Sequence, residues 1–206
     1  MRVPRVHLVT DRGVAPDLAA VARAALARLP PRSVVLHLRE KDLSGRELLA
    51  LARALRGICD GAAQLLLVND RADVALAARA DGVHLPSAGL PPEAARALLG
   101  PDRLVGVSCH GEADVARARA GGADFATFGP VFETPSKRAY GAPVGLAALR
   151  RASAAGLPLV ALGGVDVANA GEPVAAGAHG VAAIRAWLAA PDPGAAVRAL
   201  LAAAGG

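Results

Sequence analysis

The chain has 206 residues, a formal net charge of +5 and a hydrophobic fraction of 53%, with one Trp, one Tyr and three Phe. That length suits one domain with a sizeable core, which Ala, Val and Leu must fill. No apolar run approaches the roughly 20 residues that span a bilayer. The N-terminal Met1–Thr10 enters a strand-like run without a signal-peptide core, and two cysteines, Cys59 and Cys109, form neither a disulfide framework nor a metal spacing. A cytosolic, reduced protein is expected. Nucleic acid is excluded as a partner, because the arginines are scattered along helix faces without a basic block or interleaved aromatics.

In chain order, short apolar runs alternate with Ala/Leu/Arg helical patterns. The predicted strands are Val6–Thr10, Ser33–Leu38, Gln64–Val68, Gly82–Leu85, Leu104–Ser108, Phe125–Phe128, Leu159–Leu162 and Gly180–Ile184. Helices are expected to start near Asp17, Ser44, Arg71, Pro91, Gly111, Leu146, Val167 and Pro193. Continuous rather than alternating apolar runs indicate parallel strands covered on both faces. Eight such βα units predict an α/β fold, a single-domain (βα)8 TIM barrel over residues 1–206. A faint repeat supports it: Ala80-Asp81-Gly82-Val83, Gly122-Ala123-Asp124-Phe125 and Gly177-Ala178-His179-Gly180-Val181 each turn a helix end into a strand. Asp11-Arg12-Gly13 after the first strand is not a dinucleotide fingerprint.

In such a barrel the residues just past each strand converge on one mouth. They include Arg39, Glu40 and Lys41; Asn69, Asp70 and Arg71; Ser108, Cys109 and His110; the Thr134–Lys137 loop with Ser136; Gly163 and Gly164; and Arg185. Cations, hydroxyls and one well-placed acid, Asp70, make a phosphate or pyrophosphate site, with Asp70 available for Mg²⁺. All but Lys41 and Lys137 of the 23 basic residues are arginine, and both lysines fall just past a strand. His37, Arg39 and Lys41 share strand parity, which predicts that all three face the interior or the mouth. An ion pair with an acid on a neighbouring strand is the structural alternative for them. Asp70 has its own alternative as the N-cap of the next helix. Gly163-Gly164 ahead of a helix near Val167 predicts a phosphate cradle. His7 and His84 read as core, and Cys109-His110 has no triad partner.

These segments together resemble the thiamine-phosphate synthase family and its TenI-type thiazole tautomerase relatives. The likeness runs through Leu8-Val9-Thr10-Asp11, His37-Leu38-Arg39-Glu40-Lys41, Asn69-Asp70-Arg71, Asp81-Gly82-Val83-His84-Leu85, Gly106-Val107-Ser108-Cys109-His110, Gly129–Lys137, Gly163-Gly164-Val165 and Gly180–Ile184. The resemblance implies a barrel, often dimeric. It implies coupling of a phosphorylated pyrimidine, hydroxymethylpyrimidine pyrophosphate, to a thiazole phosphate, with Mg²⁺ as cofactor and thiamine phosphate as product. It would put Arg39, Lys41, Asn69 and Lys137 on the pyrophosphate and Asp70 on Mg²⁺. Ser108 would face the pyrimidine, and Thr134, Ser136, Gly163 and Gly164 the thiazole phosphate.

Three positions depart from the synthase or tautomerase patterns. His37 stands where the synthase has Gln, and Gly89 where it has a second Mg²⁺-binding Asp. Pro130 stands where the tautomerase has its proton-transferring His. The expectations are therefore a synthase using Asp70, aided by Glu93; alternatively a thiazole tautomerase with His37 or His110 as base; or a non-catalytic precursor-binding member.

Overall fold

The computed structural model describes residues 2–134 and 142–205. Eight parallel strands close into a barrel in sequence order, β1 (Val6–Val9), β2 (Val34–Leu38), β3 (Leu65–Asn69), β4 (Gly82–Leu85), β5 (Leu104–Cys109), β6 (Phe125–Phe128), β7 (Leu159–Leu162) and β8 (Gly180–Ala183). Each predicted strand is present, within a residue or so at its ends. The helices among the described residues are α1 (Leu18–Leu26), α2 (Gly45–Gly61), α3 (Ala72–Ala77), α4 (Pro92–Leu99), α5 (Glu112–Ala120), α6 (Gly145–Ser153), α7 (Gly171–Ala175), α8 (Arg185–Leu188) and α9 (Pro193–Ala203). Local chemistry sets several starts. Asp17 and Asp192 cap α1 and α9 by accepting from Ala20 and Ala195 N–H, and Ser44 with Glu47 closes a capping box on α2.

Two starts differ from expectation. A turn capped by Asp166 and Asn169 precedes α7, so that helix begins at Gly171 rather than near Val167. Short helix α8 follows β8 unannounced, because four residues carry too little periodicity to be read. Its buried Trp187 donates from Nε1 to Ala183 O at 3.2 Å.

Successive residues of a strand face opposite sides, so the barrel has two apolar layers. Leu8, Leu36, Val68 and Val83 pack outward against the helices. Val9, Val35, Leu65, Leu67, Leu104, Phe125, Val160 and Ala182 fill the interior. Gly106 is the necessary gap in that interior: a Cβ there would lie 2.2 Å from Phe125 Cζ. Three imidazoles complete the layer. The rings of His7, His37 and His84 lie 4.9–5.2 Å from their nearest imidazole neighbour and beside Phe125.

Candidate active site

The interior layer becomes the floor of the mouth. Pro4 O can only accept, so His7 donates to it from Nε2 at 3.1 Å. Neutral His7 must then accept at Nδ1, which receives the Nε2–H of His37 at 2.8 Å. His84 Nε2 shares a 3.1 Å hydrogen bond with Thr127 Oγ1. Burial dominates the acidity of all three. It lowers His7 to about 3, against a partial rise from the Pro4 carbonyl. It lowers His84 to about 4, helped by the charge of Arg39, and it pushes His37 well below the ordinary value, with His7 and His84 adding to the effect. His37 is 2% exposed and belongs to the core. A sealed, hydrogen-bonded imidazole of this kind is a poor solvent-side base, so the environment of His37 does not favour the catalytic role expected for it.

Arg39 lies two residues above His37, just past β2, and the parity argument holds that far. Arg39 is half-buried, and its charge acts on His84. Among the described residues Arg39 is the half-buried arginine whose side chain has neither a hydrogen bond nor an ion pair; Arg5, Arg12, Arg56, Arg71, Arg96 and Arg103 all have one. Parity fails at Lys41, which is exposed in a turn because the strand ended at Leu38. Neither cation has an acidic partner among the described residues, so the structural ion pair is not seen.

Asn69 ends β3 and is half-buried. Asp70 takes φ 66°, a left-handed conformation that Asp tolerates better than most residues, and its N–H donates to His84 O at 2.9 Å. Its exposed carboxylate accepts no hydrogen bond among the described residues. The N-cap of α3 is Arg71, without a side-chain cap, so the capping alternative for Asp70 fails. Glu93, the expected helper, is exposed in the first turn of α4, and its Oε2 lies 2.8 Å from where a Gly121 Cβ would be. Gly89 closes a turn on Pro86 O at 3.0 Å. No group of three or more His, Cys, Asp or Glu that could hold a metal exists among the described residues. Mg²⁺ usually keeps waters and binds one or two carboxylates plus substrate phosphates. The free Asp70 carboxylate fits that mode, as a single anchor.

Across the mouth, Ser108 on β5 is half-buried and in register with Thr127. The exposed His110 donates from Nδ1 to Gly129 O at 2.6 Å, which leaves Nε2 as an acceptor. The loop after β6 lies along the end of β7. Val131 N–H donates to Leu162 O at 2.9 Å and Phe132 N–H to Gly163 O at 3.0 Å. Gly163 and Gly164 have φ 99° and 66°. A Cβ on Gly163 would sit 2.5 Å from Pro130 Cβ, and one on Gly164 2.5 Å from Glu133 O. Only glycine permits this contact. The N–H groups of both glycines donate to nothing among the described residues. The helix N-terminus expected behind this glycine pair is displaced to Gly171. Thr134 is half-buried at the end of the described segment, and Ser136 and Lys137 lie outside the described residues. Arg185 is exposed at the start of α8.

Sequence reasoning missed Thr127 and the partnership of Thr10 with Glu40. Thr127 faces inward and anchors His84, which the parity of Phe125 could have shown. Thr10 and Glu40 are buried polar residues that join the first two loops: Thr10 Oγ1 donates to Glu40 at 2.7 Å and accepts from Arg39 N–H at 2.9 Å. Their pairing needs the β1–β2 register, which no single segment carries.

The family model described as thiamine monophosphate synthase matches residues 6–187. A Geobacter sulfurreducens protein provisionally named a thiamine-phosphate synthase is 54% identical over 200 residues, covering 96% of this chain and 92% of that protein. The thiamine-phosphate synthase of Roseiflexus sp. strain RS-1 is 42% identical over 196 residues, covering 95% of this chain and 83% of its own. Among solved structures, the thiamine phosphate pyrophosphorylase of Pyrococcus furiosus superposes with a TM-score of 0.84 at 30% identity, covering 98% of this chain and 95% of that one.

Proposed function

The chain belongs to the thiamine monophosphate synthase family and is a synthase-like transferase, and on that premise we propose that it couples hydroxymethylpyrimidine pyrophosphate to thiazole phosphate. The products are thiamine phosphate and pyrophosphate. One observation carries the reading: among the described residues, Arg39 is the half-buried arginine without a partner, and it stands over the barrel floor. Holding such a cation without a counter-charge is unfavourable, so its ligand is an anion that arrives with the substrate.

In this reading the methylene–oxygen bond of the pyrimidine breaks and its electron pair leaves on the pyrophosphate. The thiazole nitrogen then forms a bond to the methylene carbon. Arg39, Lys41, Asn69 and Lys137 bind the leaving pyrophosphate and oppose its growing charge in a half-enclosed site, where such contacts are strongest. Ser108 meets the pyrimidine. The Gly163 and Gly164 N–H groups, Thr134 and Ser136 take the thiazole phosphate. Mg²⁺, when bound, neutralises pyrophosphate oxygens, and Asp70 is the residue that would hold it. The His7–His37–His84 cluster keeps a neutral, rigid floor. The proposal includes a cytosolic homodimer, a state that light scattering on the purified chain reads directly.

A second reading has its own observation: at the β5–β6 rim His110 Nδ1 bonds Gly129 O while its Nε2 has no partner among the described residues, as suits a tautomerase base. One experiment separates the readings. Supplied with both substrates and Mg²⁺, the folded chain is expected to form thiamine phosphate, and to lose most of that turnover as Asp70→Ala. Full Mg²⁺-dependent turnover in Asp70→Ala would remove Asp70 from the site. No product, but proton exchange on thiazole carboxylate phosphate that His110→Ala abolishes, would replace the synthase by the isomerase. Thiazole phosphate binding with neither activity would leave a precursor-binding protein.

A further inference from the structure

We propose that Thr10, backed by Glu40, is a positioning residue that sets where Arg39 points; this rests on the reading of Arg39 as a pyrophosphate ligand. Strand β2 ends at Leu38, so the sheet does not hold the Arg39 main chain. A side chain does so instead. Thr10 is 0% exposed, and its own N–H extends the ladder by donating to His37 O at 3.0 Å. Its single hydroxyl proton goes to Glu40 Oε1 at 2.7 Å, which leaves the oxygen's lone pair for Arg39 N–H at 2.9 Å. The order is forced, because an amide can only donate and a carboxylate only accept.

Glu40 is 8% exposed and is itself fixed. Its Oε2 accepts Arg12 N–H at 3.2 Å and faces Arg12 Nε at 3.3 Å. Arg12 in turn donates from Nη2 to Asp42 Oδ2 at 2.7 Å. Every one of these contacts joins the loop after β1 to the loop after β2. Glu40 therefore directs its charge to the scaffold, to the Thr10 hydroxyl and to Arg12, and leaves Arg39 without a neutralising partner among the described residues. An acid on the neighbouring residue orients the cation without quenching it.

The test is affinity for inorganic pyrophosphate, measured by calorimetry in the presence of Mg²⁺. Thr10→Val keeps the shape and removes the hydroxyl, and is expected to weaken binding about tenfold; Thr10→Ser is expected to stay within about twofold of the parent chain. In an Arg39→Ala background Thr10→Val is expected to add nothing further. A general loosening of the fold would instead lower affinity equally in both backgrounds, and that outcome overturns the proposal, as does unchanged affinity in folded Thr10→Val. If Thr10→Val does not fold, Thr10→Ala replaces it under the same criteria. A parent chain that fails to bind pyrophosphate would defeat the functional reading itself, and this inference with it.

Discussion

The two ends of the barrel use the same residue types to opposite purposes. At the end where strands begin, charges are consumed internally. Asp81, before β4, accepts Leu66 N–H at 2.8 Å and pairs with Arg56. Asp124, before β6, accepts Val105 N–H at 2.7 Å and pairs with Arg96 at 2.6 Å. The same device thus occurs twice, an Asp bridging a helix arginine and the strand next door. Arg103 donates to Leu99 O at 2.9 Å and Arg5 to Ala204 O at 3.0 Å. At the end where strands stop, Arg39, Lys41, Asp70 and Arg185 have no such partners among the described residues. A polar group that completes the scaffold is already satisfied, whereas one kept for a ligand is left wanting. On the proposed reading, the site lies where half-buried Arg39 and its neighbours at the strand ends have no such partners among the described residues.

The largest expected effect separates the faces directly. Arg39→Ala should lower coupling by roughly 100-fold or more, as loss of a contact to developing charge does, with its melting temperature within a degree or two of the parent. Arg56→Ala should do the reverse. It leaves the Asp81 carboxylate without its cation, at a cost of about 2 kcal/mol, which for a chain of this length is roughly a 5 °C drop in melting temperature. Turnover per folded molecule should not change. Thermal melts beside initial rates decide it, and an Arg39→Ala variant that melts as early as Arg56→Ala would make Arg39 a scaffold residue.

How much of this was legible in the sequence follows from how local each signal is. The strands are short apolar runs bounded by breakers, so all eight could be read, along with helix starts marked by Asp17, Ser44 and Pro193. The residues ending each strand came with them, and so did Arg39, Asn69, Asp70 and the glycine pair. What failed depended on distance across the barrel. Strand parity carried His37 to the interior, but nothing local said that His7 and His84 would meet it there and make it core. Lys41 was misdirected because parity was extended past Leu38, the true strand end. Thr10 and Glu40 were each unremarkable alone; their meaning is a contact between residues 30 apart.

The imidazole floor, belonging to neither end, predicts the next effect in size. Below pH 6.5 the unfolded chain takes up protons on its histidines, while buried His84 and His7 resist them down to about 4 and about 3. Their folded values are depressed, so stability is full above about pH 6.5 and is lost as pH falls toward those values, by about 1.4 kcal/mol per unit for each histidine that stays neutral. Chemical denaturation at pH 7.5, 6 and 5 should show this decline. His84→Gln, which cannot titrate, should make the decline shallower by one histidine's share. A stability that is level from pH 7.5 to 5 would mean that the floor takes up protons without unfolding.

The smallest expected effect probes why Asp70 has no companion carboxylate. Adding one at position 89 looks simple from the sequence, since that residue is an exposed glycine. The turn opposes it. A Cβ on Gly89 would lie 2.7 Å from Pro86 Cγ and 2.8 Å from Pro86 Cδ, so any side chain must displace the proline ring. Pro86 follows β4 directly, and shifting it disturbs the strand end whose His84 carbonyl holds Asp70 N–H. Gly89→Asp alone should therefore leave the Mg²⁺ concentration for half-maximal coupling within about twofold of the parent, or raise it, while destabilising the chain by about 1 kcal/mol. Combined with Pro86→Gly, which removes the obstruction, the same aspartate should lower that concentration several-fold, because a second anionic ligand strengthens the grip on a hard cation. If Gly89→Asp alone tightens Mg²⁺ as well as the pair does, the turn yields freely, and the proline ring is not what keeps position 89 bare.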